Sequence, residues 1–180
     1  MAKIRWVVFI LILLLLSCSQ ASEENPQVLQ DSSQSSTGKL VVFLTDLPAG
    51  VEKVLVTISA IDVHKTGGAS FTVFSGEREY DLLELQKNPE LLFDTSLEEG
   101  KYTQIRLQVT AGQIQVSGVL YPLTIPSSQV KINCNFSVLS GGTTRIILDF
   151  DAEKSLQVSG NPKNNKYNLR PVIKIKSISY

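Results

Sequence analysis

The chain has 180 residues with 17 basic and 17 acidic side chains, so it carries no formal net charge. This balance argues against nucleic-acid binding, which needs clustered Lys and Arg side chains to neutralise phosphates. A zinc site built from His and Cys is also excluded, because His64 is the only histidine and Cys134 is the only cysteine after Cys18. The length suits one domain that is held by its core.

The first 18 residues have the layout of a bacterial lipoprotein signal. Lys3 and Arg5 make a basic start, and an uninterrupted apolar run follows from Val7 to Leu16. This run is too short for a transmembrane helix, which needs ~20 apolar residues. A small residue then precedes Cys18, so we expect residues 1–17 to be removed as a signal peptide. An ordinary secretory signal, cut later near Ser22, is the alternative.

Cleavage before Cys18 leaves this residue at the new amino terminus, where it carries a thioether-linked diacylglycerol and a further acyl chain. Two or more acyl chains hold a protein stably on a membrane. Residues 18–37 are rich in Ser, Gln and acidic side chains, which predicts a disordered tether. Ser19 stands where Asp would retain a lipoprotein at the inner membrane, so we expect transfer to the outer membrane. We therefore expect a protein of the cell envelope that is attached to the membrane by its lipid. Its domain, residues 38–180, is expected to be a monomer.

Alternation of apolar and polar residues dominates this domain and predicts half-buried strands. The clearest apolar stripe runs from Val130 to Val138 and places Cys134 on the inward face. The alternation that starts at Val54 changes phase at Ala60-Ile61, which predicts a β-bulge. Continuous apolar sequence over 40–44 predicts a strand that is covered on both faces.

Turn signals and prolines complete the predicted topology. Ala111 and Gly112 lie between two alternating segments and predict a hairpin turn. Leu82–Phe93 is the one helical candidate, and an internal proline limits it to two short turns. The last strand is predicted over Tyr167–Ile178, with an edge position or a bulge at Pro171. Eight to ten strands with little helix predict an all-β fold, an antiparallel β-sandwich.

Several segments of the domain resemble a known family. They are FLTDLPAGVEKVLVTISAIDVHK (43–65), DLLELQ (81–86), GKYTQIRLQV (100–109), LDFDAEKS (148–155) and YNLRPVIKI (167–175). In this order they resemble a bacterial domain of unknown function found in predicted surface lipoproteins. The chain departs from the family at Lys87-Asn88-Pro89, where an Asn-Gly turn is expected. The resemblance implies a secreted β-sandwich, similar in outline to immunoglobulin-like or transthyretin-like domains, and it implies no catalytic residues.

Two side chains with reactive groups are expected to have structural roles. His64 lies on the outward face at a predicted strand end, beside Lys65, and the sequence places no obvious nucleophile and carboxylate next to it. Cys134 lies within the apolar stripe, where a thiol behaves as a small buried hydrophobe. We therefore predict no catalytic residues and no organic cofactor.

A set of carboxylates is the strongest metal candidate. Asp149 and Asp151 lie two residues apart on a predicted strand, which places them ~7 Å apart on one face. Hard cations bind several such oxygens, so Asp46 and the asparagines of residues 161–165 would complete a weak calcium site if the fold brings them together. The alternative is a solvated strand face on which Lys154 forms an exposed ion pair.

Three classes of function fit these observations. The leading one is a non-enzymatic, membrane-anchored module that binds an envelope protein or a glycan, and Tyr121 beside Pro122 is the aromatic side chain most expected to be exposed. The second is an envelope assembly partner that offers an open sheet edge for strand addition. The third is an enzyme, which requires a pocket with two or more titratable groups of shifted pKa.

Overall fold

Two β-sheets packed face to face form the domain. The computed structural model describes residues 36–46, 51–161 and 164–180, apart from the side chains of residues 160–165. The predicted signal peptide, Cys18 and all of the tether before residue 36 lie outside the described residues. No helix within these ranges is long and apolar enough to cross a membrane.

The described residues form eleven strands and two one-turn helices. The strands are β1 (Thr37–Asp46), β2 (Lys53–Lys65), β3 (Ser70–Asp81), β4 (Glu90–Glu98), β5 (Gly100–Val116), β6 (Val119–Thr124), β7 (Gln129–Val138), β8 (Thr143–Phe150), β9 (Leu156–Asn161), β10 (Asn164–Leu169) and β11 (Ile173–Ser179). The helices are α1 (Leu82–Leu85) and α2 (Ala152–Ser155).

The smaller sheet has the strand order β11-β8-β1-β4, and the larger sheet has the order β3-β2-β5-β6-β10-β9. β5 is long enough to pair with β7 along its first half and with β6 along its second. The predicted all-β sandwich is confirmed. It is not wholly antiparallel, however, because β1 pairs with β8, and β6 with β10, in the parallel sense. Such pairs require long crossover connections, which strand alternation does not reveal.

The core lies between the inward faces of the two sheets. Leu40, Val42 and Leu44 of β1 are fully buried, and Val41 on the opposite face is only 8% exposed. β1 is therefore covered on both faces, as its continuous apolar sequence predicts. The bulge predicted at Ala60-Ile61 is also confirmed, since the register of β2 against both β3 and β5 shifts just before Ala60.

The predicted turn at Ala111-Gly112 is wrong, because β5 runs through it without interruption. Gly112 serves close packing instead, since a Cβ atom there would lie 3.2 Å from a methyl carbon of Leu123. The chain turns at Ser117 and Gly118, which have positive φ angles of 52° and 78°. Two adjacent residues of this kind are typical of a tight β-hairpin.

Two further expectations need correction. Only Leu82–Leu85, the first third of Leu82–Phe93, is helical, and the last four residues, from Glu90, belong to β4 and pair with β1. Long-range pairing here outweighs local helix propensity. The single strand predicted over Tyr167–Ile178 is two strands, β10 in the larger sheet and β11 in the smaller one, separated by a segment that contains Pro171. The proline marks the point where the chain crosses between the sheets.

Candidate functional site

The outward face of the larger sheet carries two rows of polar side chains across β3, β2, β5 and β7. Each row has one residue from each strand, aligned by the cross-strand register. The rows are Ser70, His64, Gln104 and Asn133, followed by Thr72, Asp62, Arg106 and Lys131. We call these eight residues the polar platform. Because neighbouring strands lie ~4.8 Å apart, each row spans about 14 Å.

On the β3–β2 side of the polar platform, side chains of neighbouring strands are joined in pairs. The Thr72 hydroxyl donates a hydrogen bond to Asp62 Oδ1 at 2.6 Å. In the adjacent row, Ser70 Oγ lies 3.3 Å from His64 Nε2. Each contact links residues directly opposite one another in the hairpin, so the hairpin register holds these four side chains in place.

On the β5–β7 side, the side chains form a short hydrogen-bonded chain. Gln104 Nε2 donates to Asn133 Oδ1 at 2.6 Å, and Arg106 Nε donates to Gln104 Oε1. Lys131 stands directly across from Arg106 in the register. These contacts orient Gln104 from both sides, while each amide keeps further donor and acceptor capacity for a ligand.

Positive charge outweighs negative charge among the side chains of the polar platform. The pKa of His64 is lowered from 6.5, first by burial, then by Arg106, with a further contribution from Lys131. Asp62 acts in the opposite direction, but it does not overcome these effects. His64 is therefore neutral at pH 7, and the platform has two cationic side chains against one carboxylate.

A shallow, open depression of about 330 Å³ lies at one end of the platform, where the turn between β2 and β3 meets β5. On the side of the polar platform, the depression is lined by His64 and Arg106. Thr66 and Thr103, whose side chains carry hydroxyl groups, also line it. Polar groups from two chain segments, residues 64–68 and 103–106, thus border a space that is open to solvent.

His64 is paired with the hydroxyl of Ser70, whereas the sequence places no obvious nucleophile beside this histidine. The pairing depends on the register of the β2–β3 hairpin. Gly67-Gly68 between the two strands predicts a turn but does not determine that register. A hydrolytic triad also needs a carboxylate that orients the histidine. Asp62 instead accepts from Thr72.

Cys134 is placed as the apolar stripe predicts, on the inward face of β7. The residue is only 5% exposed. Burial raises the pKa of its thiol to about 11, and a backbone hydrogen bond from Ile105 opposes this only in part. The thiol is therefore protonated and unreactive at neutral pH.

The structure brings Asp46 and Asp151, two of the three proposed calcium ligands, to the start of α2. We call Asp46, Asp149 and Asp151 the carboxylate end of the smaller sheet. Parallel pairing of β1 with β8 sets Asp46 opposite Phe150, and Asp46 Oδ1 accepts a hydrogen bond from the backbone N–H of Ala152 at 3.1 Å. Asp149 stays within β8.

Asp151 has left the strand and caps α2 instead of sharing a face with Asp149. Its Oδ1 accepts from the backbone N–H of Lys154 at 3.0 Å, and its Oδ2 accepts from Lys154 Nζ at 2.6 Å. These hydrogen bonds lower the pKa of Asp151 below its usual value of 3.8. Both carboxylate oxygens thus have structural roles, at a helix cap and in an ion pair.

Within the described part of the chain, no group of three or more His, Cys, Asp and Glu side chains is placed to hold a metal ion. The asparagine side chains at 161–165, which the calcium prediction also used, lie outside the described side chains. The calcium site therefore stays a prediction.

Tyr121 is 39% exposed, as expected from its position beside Pro122. Its ring packs against Tyr167 with the centroids 5.3 Å apart. The ring lies on β6, which pairs with the second half of β5, whereas the polar platform uses the first half. Tyr121 is thus an exposed aromatic side chain separate from the platform.

Comparison with known proteins identifies the family. Neither the curated proteins nor the solved structures contain a match to this chain. The family "Domain of unknown function (DUF4382)" matches residues 37–171, three quarters of the chain. The match begins with β1, ends beyond β10 and includes every residue of the polar platform. The chain therefore belongs to the DUF4382 family.

Proposed function

We propose that this protein is an exported lipoprotein of the cell envelope, anchored through Cys18, and that its β-sandwich binds a glycan on the polar platform without catalysing a reaction. The family match carries no activity, so the argument comes from the site itself.

The observation that carries the glycan proposal is the prearranged pair of polar rows. Sugar hydroxyls both donate and accept hydrogen bonds, and amide and hydroxyl side chains do the same. Gln104 and Asn133 are already held by their neighbours, as is Thr72. A ligand would therefore bind without a large loss of side-chain entropy, which favours affinity.

The same geometry argues for binding over catalysis. The depression beside His64 is shallow and open, whereas catalytic sites exclude water to strengthen their electrostatics. Among the residues that the structure describes, no carboxylate lines the depression beside His64. An acid–base mechanism usually depends on two groups whose pKa values are moved apart.

The anchoring part of the proposal is tested by metabolic labelling with a fatty acid. The basic start, the apolar run and Cys18 support acylation at this residue. Labelled fatty acid should appear on the wild-type protein and should be absent from Cys18→Ser. Label that persists in the variant would refute acylation at Cys18, and Cys134→Ser is the control for the other cysteine.

The binding part is tested by screening the full chain, purified in detergent, against an array of bacterial and plant glycans. We expect Gln104→Ala to reduce the signal of bound glycans about tenfold, since it removes hydrogen bonds worth ~1 kcal/mol each. Gln113→Ala is the matched control, because Gln113 is exposed on the same strand but lies outside the platform. Equal binding by both variants would refute the platform as the binding site.

A second candidate function is envelope assembly by strand addition at β9. This strand ends the order of the larger sheet, has no charged residue, and exposes 65% of Val158. Uncharged sheet edges are open to pairing with another strand. Val158→Lys should prevent such pairing without affecting glycan binding, and chemical cross-linking in intact cells would measure it. A cross-linking pattern unchanged by this variant would refute this candidate.

A further inference from the structure

The excess of positive charge on the polar platform bears on the class of glycan that it would bind. We propose that the depression at His64 and Arg106 binds the anionic group, a carboxylate or a sulfate, of an acidic glycan. This inference rests on the proposed glycan-binding function and names the class of ligand.

The charges around the depression favour an anion. Arg106 and Lys131 face one another across β5 and β7, and Asp62 is the carboxylate opposite Arg106 on β2. The side chain of Lys65, which also lines the depression, is paired with Glu98 at 3.0 Å. Asp62 balances one of the two cations of the platform, and Glu98 balances Lys65, so one positive charge remains in excess on the platform. A guanidinium group can bind a carboxylate or sulfate through two parallel hydrogen bonds.

The backbone around the depression permits a close approach of the ligand. Gly67 and Gly68 form the turn beside it, with φ angles of 97° and 100° that favour glycine. A Cβ atom at either position would meet nothing within 4 Å, so the space over this turn is open. The hydroxyls of Thr66 and Thr103 can donate further hydrogen bonds to anionic oxygens.

His64 makes this binding dependent on pH. Its neighbours are Ser70 on β3, Asp62 on its own strand, Arg106 on β5 and Lys131 on β7, and the two cations disfavour its protonation. A bound anion would offset these cations and raise the pKa of His64. A group whose pKa is higher in the complex takes up a proton on binding, so affinity should increase as the pH falls toward the usual pKa of histidine.

The test compares a galacturonic acid hexamer with a glucose hexamer, by calorimetry on the full chain in detergent. At low salt, the acidic hexamer should bind at least about tenfold more tightly. A hydrogen bond to a charged group contributes more to binding than a neutral one, and the difference corresponds to about a tenfold change in affinity. Arg106→Gln should remove most of this preference. Arg145→Gln should retain it, since Arg145 is exposed on β8 and packs over Phe43 in the smaller sheet.

His64→Gln provides a second readout. The affinity of the wild type for the acidic hexamer should increase between about pH 7.5 and about pH 5.5, whereas that of the variant should stay level. An equal increase in the variant would refute the role of His64.

Three other outcomes would overturn the inference in distinguishable ways. Equal binding of both hexamers by all variants would refute anion selection but leave the proposed glycan function standing. Failure to bind any glycan, on the array or in solution, would refute both. Stronger, Arg106-dependent binding to vesicles of anionic phospholipid than to the acidic hexamer would assign the depression to lipid headgroups instead.

Discussion

The polar platform and the carboxylate end both consist of polar side chains on a strand or directly after one, but the two regions use those side chains differently. At the carboxylate end, Asp46 accepts a hydrogen bond from the backbone of α2, and Asp151, which directly follows β8, caps the same helix. On the platform, side chains bond to one another across an open face. Polar groups that bond to backbone serve the fold, whereas polar groups held only by their neighbours remain accessible to a ligand.

The largest expected effect lies at the carboxylate end. Asp151→Ala removes the helix cap and leaves Lys154 without its partner, so we expect the melting temperature to fall by about 5 °C. The control is Asp94→Ala, which removes an exposed ion pair with Lys39 and should change the melting temperature by less than about 2 °C. Equal effects of the two variants, measured by calorimetry, would remove the distinction between the regions.

The contribution of Asp151 to the stability of the folded protein should be lost at acidic pH. Because the pKa of Asp151 is lowered in the folded protein, its contribution is complete above its unfolded value of 3.8 and is lost as the pH falls through the lower, folded value. The difference in melting temperature between wild type and Asp151→Ala should thus be constant above about pH 5 and narrow below about pH 4. A difference that persists to about pH 2 would contradict the assigned cause.

A substitution on the polar platform should have the opposite effect: it should weaken ligand binding and leave thermal stability nearly unchanged. Gln104→Ala, which is expected to weaken glycan binding, should change the melting temperature by less than about 2 °C, because Gln104 is only partly buried and lies outside the hydrophobic core. The same thermal scans used for Asp151→Ala measure this. A fall as large as that of Asp151→Ala would make the platform a structural feature like the carboxylate end.

Calcium should have the smallest effect. Binding would have to displace Lys154 from Asp151, so we expect millimolar calcium to raise the melting temperature by at most about 1 °C relative to chelator. Any rise should disappear in the double variant Asp149→Asn with Asp151→Asn. A rise above about 5 °C that this variant abolishes would show that the carboxylate end releases its lysine to a cation.

Much of the fold was predictable because strand alternation is a local property. The inward position of Cys134 and the bulge before Ala60 both follow from period-two patterns. The turn at Ala111-Gly112 was misplaced because small residues also occur where a strand packs closely, as Gly112 does against Leu123. The helix predicted to reach Phe93 ends early since β1 provides a better partner for that segment.

The candidate site was predictable only in part. The sequence places His64 outward and Asp46 at a strand end, and the structure agrees. It does not reveal that Ser70 contacts His64, because that depends on hairpin register. The sequence also does not reveal that Asp151 caps a helix. The apolar–polar alternation continues up to Phe150, and the cap depends on the four residues after Asp151 being helical.

The sequence by itself determined which side of each strand is apolar, since side chains alternate with a period of two along any strand. Only the tertiary structure decided which strands are neighbours. His64, Arg106 and Lys131 come from three separate strands and meet because β5 lies between β2 and β7. The parallel pair of β1 and β8 likewise brings Asp46 to Ala152. Such pairings depend on the whole chain burying its core at once, and no local pattern encodes them.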